Sequence, residues 1–334
     1  MFRSLIGRFS KTNSNKVFRA KGIFVRNLSH GHHSDLRQVV AHTPFGGDIQ
    51  YMSDVHLDYR CWREMNAPRV KAVAPYLIIA GDIGRVNNGI YGEFLKNVCQ
   101  DFDQVLLVPG NHDYYDADFE ETNLILEGYQ GIFENFEVLN NKTTSLSLND
   151  GRELTIMGST MWSAGPVDQN EKRLNRKIKT LEKKMADYYR IQYQGRYLTV
   201  QDTDRFLGES IKWLWENCPE SDEQDPLLVV THHAPLIKKC CHPKFIPYNR
   251  SGKIDRMKWC NYSFATDLSG LIELMRPAAW IFGHTHYRTA FQYKCPANEL
   301  DDLDRTTLIA SNPIGRLAGR GTTKLLGDGY VRVL

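Results

Sequence analysis

Five short apolar runs each hand the chain to a loop that carries Asp, Asn or His within its first few residues. Residues 49–53 lead to Asp54, residues 76–80 to Gly81-Asp82, and residues 104–108 to Pro109-Gly-Asn-His-Asp113. Residues 227–231 lead to His232-His233, and residues 279–282 to Gly283-His-Thr-His286. Continuous apolar runs of this length, bounded by turn residues, read as buried strands. Interspersed with helical segments, they predict an α/β domain with largely parallel sheets. Ligands of such domains gather beyond the carboxyl ends of the strands. A fold of this kind brings the five loops to one place.

The rest of the chain fits that frame. Its 334 residues suit one large α/β domain or about two smaller ones. Apolar residues make up 42% and charged residues 24%, which excludes disordered, collagen-like and coiled-coil architectures. A chain this long buries enough surface to fold without a disulfide or a structural metal. The longest apolar runs are too short to span a bilayer, so no transmembrane segment is expected. Residues 145–148 and 152–157 alternate around Asn149-Asp150-Gly151, a hairpin signal. Further strands are expected at 290–293, 307–310 and 330–334.

Between the third and fourth motifs the pattern turns helical. Leu174, Ile178, Leu181, Met185 and Tyr188 recur at spacings of 4, 3, 4 and 3, one face of a helix. Asp168 with Glu171 resembles a capping box at its start. Lys172, Arg173, Arg176, Lys177, Lys179, Lys183 and Lys184 occupy the other faces. A second helix is predicted from Thr199, with Asp202 three places on, to Trp215. Residues 165–217 therefore read as a helical insertion that caps the site. Its basic face either attracts phosphates or is simply solvated.

Charge limits the partners. Lys and Arg total 42 against 39 Asp and Glu, a net of +3. Seven of the basic residues lie in residues 1–28, which hold no acid, so the remainder has 35 basic against 39 acidic residues. A body that is mildly acidic disfavours general nucleic-acid binding. The arm at 1–28 has the composition of a mitochondrial transit peptide, and Arg26-Asn27-Leu28-Ser29 resembles a matrix-protease site. A mitochondrial location is expected on that ground, and a cytoplasmic one otherwise. Residues 29–47, with His30, His32 and His33, read as a flexible lead-in to a domain spanning 48–334. The seven cysteines are odd in number and lack C-x-x-C spacing, as reduced thiols would be.

Taken in order, Asp54-Val-His56, Gly81-Asp82, Gly110-Asn-His-Asp113, His232 and Gly283-His-Thr-His286 form one pattern. It resembles that of the calcineurin-like metallophosphoesterase superfamily, over about residues 48–334. Val229-Val-Thr-His-His-Ala-Pro235 and Asn312-Pro313 are similar to stretches of its small, soluble, uncharacterised members. The resemblance implies two packed, mixed β-sheets flanked by helices, a four-layer sandwich carrying a helical insertion. It implies a dinuclear centre of two divalent ions, one on Asp54, His56, Asp82 and His286. The other would sit on Asp82, Asn111, His232 and His284, with Asp82 bridging. Carboxylate, imidazole and amide oxygen suit Mn, Fe, Zn or Mg, and no cysteine joins them.

The chemistry implied is hydrolysis of a phosphomonoester or phosphodiester by a bridging hydroxide. His112 would protonate the leaving oxygen and Asp113 would orient its ring. His233 is expected to stand behind His232, as a support or as its rival. For His242, Arg85, Tyr114, Tyr115 and Trp162, structural roles outweigh substrate contact. Protein Ser/Thr phosphatases of the superfamily carry Asp-Arg-Gly after Gly-Asp and an Arg before Gly-Asn-His. This chain has Gly81-Asp-Ile-Gly-Arg-Val86 and Val108-Pro-Gly-Asn111, which disfavours a phosphoprotein substrate. A small phosphoester is the expected substrate. The alternatives are a nucleic-acid phosphodiesterase using the basic helix and a non-catalytic scaffold of the same fold. A scaffold predicts lost ligands, whereas all seven positions hold suitable residues.

Overall fold

The computed structural model describes residues 45–58, 67–219, 225–243, 263–297, 305–315 and 334. The basic arm at 1–28 and nearly all of the lead-in at 29–47 lie outside the described residues. In chain order the elements begin with β1 (Ile49–Met52), β2 (Tyr76–Ala80), α1 (Gly89–Asp101) and β3 (Gln104–Val108). They continue with β4 (Ala117–Asp118), α2 (Phe119–Ile132), β5 (Phe136–Val138), β6 (Lys142–Ser147) and β7 (Glu153–Ser159). The middle contributes α3 (Glu171–Lys184), α4 (Asp187–Arg190), β8 (Ile191–Tyr193), β9 (Arg196–Tyr197) and α5 (Val200–Asn217). The last elements are β10 (Leu227–Thr231), α6 (Ser269–Met275), β11 (Ala279–Ile281), β12 (Thr289–Cys295) and β13 (Arg305–Ser311).

Two large sheets result. One has the order β1-β2-β3-β5 and is parallel throughout. The other has the order β12-β13-β11-β10-β7-β6. Its four inner strands are parallel, and its edges β12 and β6 are antiparallel. A small third sheet, β4-β8-β9, lies within and beside the helical insertion.

The strand sequences decide the layering. Parallel strands are covered on both faces, so their side chains are apolar on both. Alternate residues of β2 accordingly enter different cores. Ile78 and Ala80 join Tyr51, Leu106, Ile156, Val230, Ile281 and Ala310 between the two sheets. Leu77 and Ile79 pack outward against Tyr91, Phe94, Leu95 and Val98 of α1. On the far side, Val229, Trp280 and Ile309 pack against Leu207 and Leu214 of α5 and Ile272 and Met275 of α6. The order is helix, sheet, sheet, helix, the four-layer sandwich expected. Each large side chain fully buried this way contributes roughly 1.5–3 kcal/mol.

Some expectations are corrected. The hairpin around Asn149-Asp150-Gly151 is longer than its alternation shows, with Lys142 opposite Gly158. Helix α3 starts on Asn170, whose side chain accepts from the Arg173 N–H, and not on Asp168. Asp168 is drawn away to Arg173 and Lys177, at 3.2 and 3.1 Å. The apolar stripe through Tyr188 also breaks, because α3 stops before Met185 and Tyr188 belongs to α4. The helix from Thr199 is as expected, with a capping box between Thr199 and Asp202. Of the strand expected at 330–334 only Leu334 is described, and it exchanges backbone hydrogen bonds with Ile49. Among the described residues no helix is long and apolar enough to cross a membrane.

Candidate metal centre

The loops after β1, β2, β3, β10 and β11 meet at the carboxyl ends of both sheets. Backbone hydrogen bonds fasten them to one another. Asp54 N–H donates to the Gly81 carbonyl at 2.9 Å, and His56 N–H to the Asp82 carbonyl at 3.0 Å. Gly283 N–H reaches the His232 carbonyl at 2.9 Å, and His284 N–H reaches Asp54 Oδ1 at 2.9 Å, which joins the sheets. Asp54, His56, Asp82, His284 and His286 all have φ between 50° and 65°. Residues other than glycine rarely adopt that left-handed region, and it concentrates at functional sites. Here it turns each chain sharply at its strand end, so that its side chain faces the centre. Gly110 is required for closeness: a Cβ there would strike Asp82 Oδ1 and lie 2.7 Å from His232 Cε1.

The donor atoms fall into two groups that share Asp82. In the first, His56 Nε2 lies 2.9 Å from His286 Nε2, 3.7 Å from Asp82 Oδ2 and 3.9 Å from Asp54 Oδ1. His286 Nε2 is 3.4 Å from Asp54 Oδ1. In the second, Asn111 Oδ1 lies 3.0 Å from both His232 Nε2 and His284 Nδ1. His232 Nε2 is 3.2 Å from His284 Nδ1 and 3.3 Å from Asp82 Oδ1. Ligands about 2.1 Å from a common ion stand about 3.0 to 3.4 Å apart, and most of these separations lie near that range.

The tautomers point the same way. His232 Nδ1 is 2.9 Å from the Ala80 carbonyl, so its hydrogen sits there and the Nε2 lone pair faces inward. Asn111 Nδ2 donates to Tyr115 Oη at 2.9 Å and to Asp187 Oδ1 at 2.8 Å, which leaves Oδ1 inward. With His232 in its neutral form, lone pairs of Asn111, Asp82 and His232 converge, and such a cluster suits a cation. Burial opposes charge on His232, yet the carboxylates of Asp82 and Asp54 push it up to about 9. His284 is driven well below its usual value, by burial first and then by the charges of His233 and His232. A neutral imidazole beside a negative field fits a divalent ion.

A sequence model of the calcineurin-like phosphoesterases matches residues 30–288. The chain belongs to this family. An uncharacterized protein of Acanthamoeba polyphaga mimivirus is 27% identical over 266 residues, 73% of this chain and 86% of its own length. The phosphopantetheinyl hydrolase of Mycobacterium tuberculosis is similar in structure, with a TM-score of 0.62 and 15% identity. The match spans 86% of this chain and 95% of the hydrolase. At that identity the likeness speaks for the fold.

This calcineurin-like phosphoesterase departs from expectation around His112. Asp113 does not orient its ring. The Asp113 carboxylate instead takes the N–H groups of Gly110 at 2.6 Å, Asp82 at 3.0 Å and Gly84 at 3.3 Å, with the Tyr91 hydroxyl at 3.2 Å. It fastens the two loops that carry Asp82 and Asn111, and burial with the charge of Asp82 pushes it up to about 7. The ring of His112 is met by Asp58, whose Oδ2 lies 3.2 Å from Nδ1. Burial raises Asp58, but hydrogen bonds and charge from His112 and His56 outweigh it and hold it well below the usual carboxylate range. In the sequence Asp58 stands two places beyond His56, and that spacing was its one signal.

The remaining candidates divide. His232 faces the centre, while His233 stacks on His284 at 4.0 Å and turns Nδ1 to the Ser163 N–H at 3.1 Å. That bond puts the His233 hydrogen on Nε2 and removes it as a ligand in the neutral form. Tyr114 and Trp162 are buried in the apolar core of the insertion. Arg85 pairs with Asp116 at 2.6 Å, and the ring of His242 lies 5.7 Å from that of Tyr287. Tyr115, instead, contributes its hydroxyl to the hydrogen bonds behind Asn111. His112 and His286 are 19% and 22% exposed where the other donors are buried, so they mark the open face.

Proposed function

We propose that this phosphoesterase hydrolyses a phosphomonoester or phosphodiester at a dinuclear divalent-metal centre. The observation that carries the reading is the position of Asp82, which has Oδ2 beside the first donor group and Oδ1 beside the second. Asp54, His56, Asp82 and His286 would hold one ion, and Asp82, Asn111, His232 and His284 the other. Bound there, two divalent ions supply positive charge for the phosphoryl oxygens and a strong nucleophile at neutral pH. Mn, Fe, Zn and Mg all fit the donor types.

The protein's own groups do the rest. Asp58 takes Nδ1–H of His112, which fixes the ring and leaves Nε2 to hand a proton to the leaving oxygen. Burial works against a charged His112, yet Asp82 and Asp58 together raise it above its ordinary value. In its protonated form the imidazole can act as a general acid. The open face at His112 and His286 admits the ester on the side where that proton is held.

Hydrolysis of bis-p-nitrophenyl phosphate by the full chain with Mn(II), beside Asp82→Asn, tests the reading. Turnover lost in the variant supports it. Two equivalents of bound metal without turnover of phosphodiesters or of phosphomonoesters such as p-nitrophenyl phosphate would overturn it. The exposed basic residues of α3 favour a second reading, a nucleic-acid phosphodiesterase. A log–log salt dependence of oligonucleotide binding with a slope of several units would support that reading, and a flat one would remove it.

A further inference from the structure

The insertion does more than cover the sheets. Asp187, the first residue of α4, is 5% exposed and reaches the turn that carries Asn111. Its Oδ1 accepts from Asn111 Nδ2 at 2.8 Å and from Tyr115 Oη at 2.6 Å, while Tyr115 Oη itself accepts from Asn111 Nδ2 at 2.9 Å. Three groups thus close a ring of hydrogen bonds behind the amide. The insertion is clamped to this turn by further contacts. Arg190 donates to both oxygens of Asp116, at 2.9 and 2.6 Å. Its guanidinium lies 4.5 Å above the Tyr115 ring, whose other neighbour is the His112 ring at 4.2 Å. Asp116 N–H donates to the Arg190 carbonyl at 2.8 Å.

An asparagine amide has two nearly isosteric orientations, and only one offers oxygen to a cation. The amide here could turn over only by setting its oxygen against Asp187 Oδ1 and its NH₂ among the lone pairs of His232, His284 and Asp82. An ionised Asp187 carboxylate accepts only, as it does here from Asn111 Nδ2 and Tyr115 Oη, so it has nothing to donate to an amide oxygen. We propose that Asp187 is a positioning residue which locks the Asn111 amide with Oδ1 toward His232 and His284, so that the insertion completes the second metal position. The proposal rests on the dinuclear reading above. It makes the second position, and not the first, depend on a segment outside the two large sheets. Outer-shell partners of metal ligands characteristically change metal affinity 10- to 100-fold.

Mn(II) titration of the full chain, followed by electron paramagnetic resonance, tests the proposal. The wild type is expected to take up two equivalents and to give an exchange-coupled spectrum. Asp187→Ala is expected to keep the first equivalent at wild-type affinity and to weaken the second about 10- to 100-fold. Its spectrum at equimolar Mn(II) is then that of an isolated ion. Asp187→Asn, which retains an oxygen acceptor, is expected to recover most of the second-site affinity. Asp187→Ser is measured beside Asp187→Ala, because a polar, shorter side chain leaves a less damaging gap in a buried site. Two equivalents bound normally by the Ala or Ser variant would overturn the proposal and leave the dinuclear reading standing. Equal weakening of both equivalents would also overturn it, as a loss of general structure. A wild type that binds fewer than two equivalents would overturn both.

Discussion

His112 Nδ1 lies 3.2 Å from Asp58 Oδ2, and this pair joins the loop after β1 to the loop after β3. The carboxylate helps to keep the imidazole protonated. Asp58→Asn should therefore lower the pKa of His112 and shift the basic limb of the pH–rate profile to lower pH. Turnover of esters with alkoxide leaving groups should fall about 10- to 100-fold, while p-nitrophenyl esters, which need little protonation, should be nearly unaffected. Steady-state rates across a series of leaving groups check this. A uniform loss for all leaving groups would contradict the assignment.

Asp82→Asn should remove the negative charge shared by the two donor groups. Metal content measured after gel filtration should fall by at least one equivalent per chain, and kcat by about 10³-fold or more, a loss of about 4 kcal/mol in transition-state stabilisation. Chelation of the wild type should abolish activity reversibly, with recovery on adding Mn(II).

Gly110→Ala should damage the centre without replacing a donor. The new Cβ would collide with Asp82 Oδ1 and crowd His232, both in the second group. The expected result is a protein that unfolds cooperatively, binds less metal and has lost most of its activity. Circular dichroism melting beside metal analysis separates the two effects.

The capping box of α5 should show itself at low pH. Burial pushes Asp202 up, but Arg196 and Thr199 overcome it and hold the carboxyl at about 2 against the ordinary 3.8. A lowered folded-state pKa gives stability that is complete above pH ~4 and is lost as pH falls toward 2. Asp202→Ala should therefore cost about 1 kcal/mol at pH 7 and progressively less as pH falls from about 4 through about 2. Urea midpoints across that range check the sign.

Much of the fold was legible because its central strands are buried on both faces. The runs at β2, β3 and β10 announce themselves by unbroken apolar character, and their ends coincide with the expected ones. The edge strand β5 is only Phe136–Val138, too short to carry a pattern. The candidate donors stood out because each lies within five residues of the end of a strand. Asp58 and Asp187 did not, because their roles come from partners 54 and 76 positions away. Asp113 misled for the opposite reason: adjacency to His112 suggested a contact, while the tight turn at Asn111–Tyr114 sends its carboxylate to the backbone of the loops.

Asp54, Asp82 and Asn111 follow three neighbouring parallel strands, with Asp82 on the middle one. Hydrogen-bonded strands keep a pitch of about 4.8 Å. The ladder of β1, β2 and β3 thus works as a gauge block, cut before any ion arrives. Under the dinuclear reading proposed above, the shared carboxylate would come from the middle rung, since a side chain on either outer rung would reach one ion and miss its neighbour. Stripping the metal should leave that gauge standing, so reloading becomes a matter of diffusion and proton release, with no refolding of the scaffold.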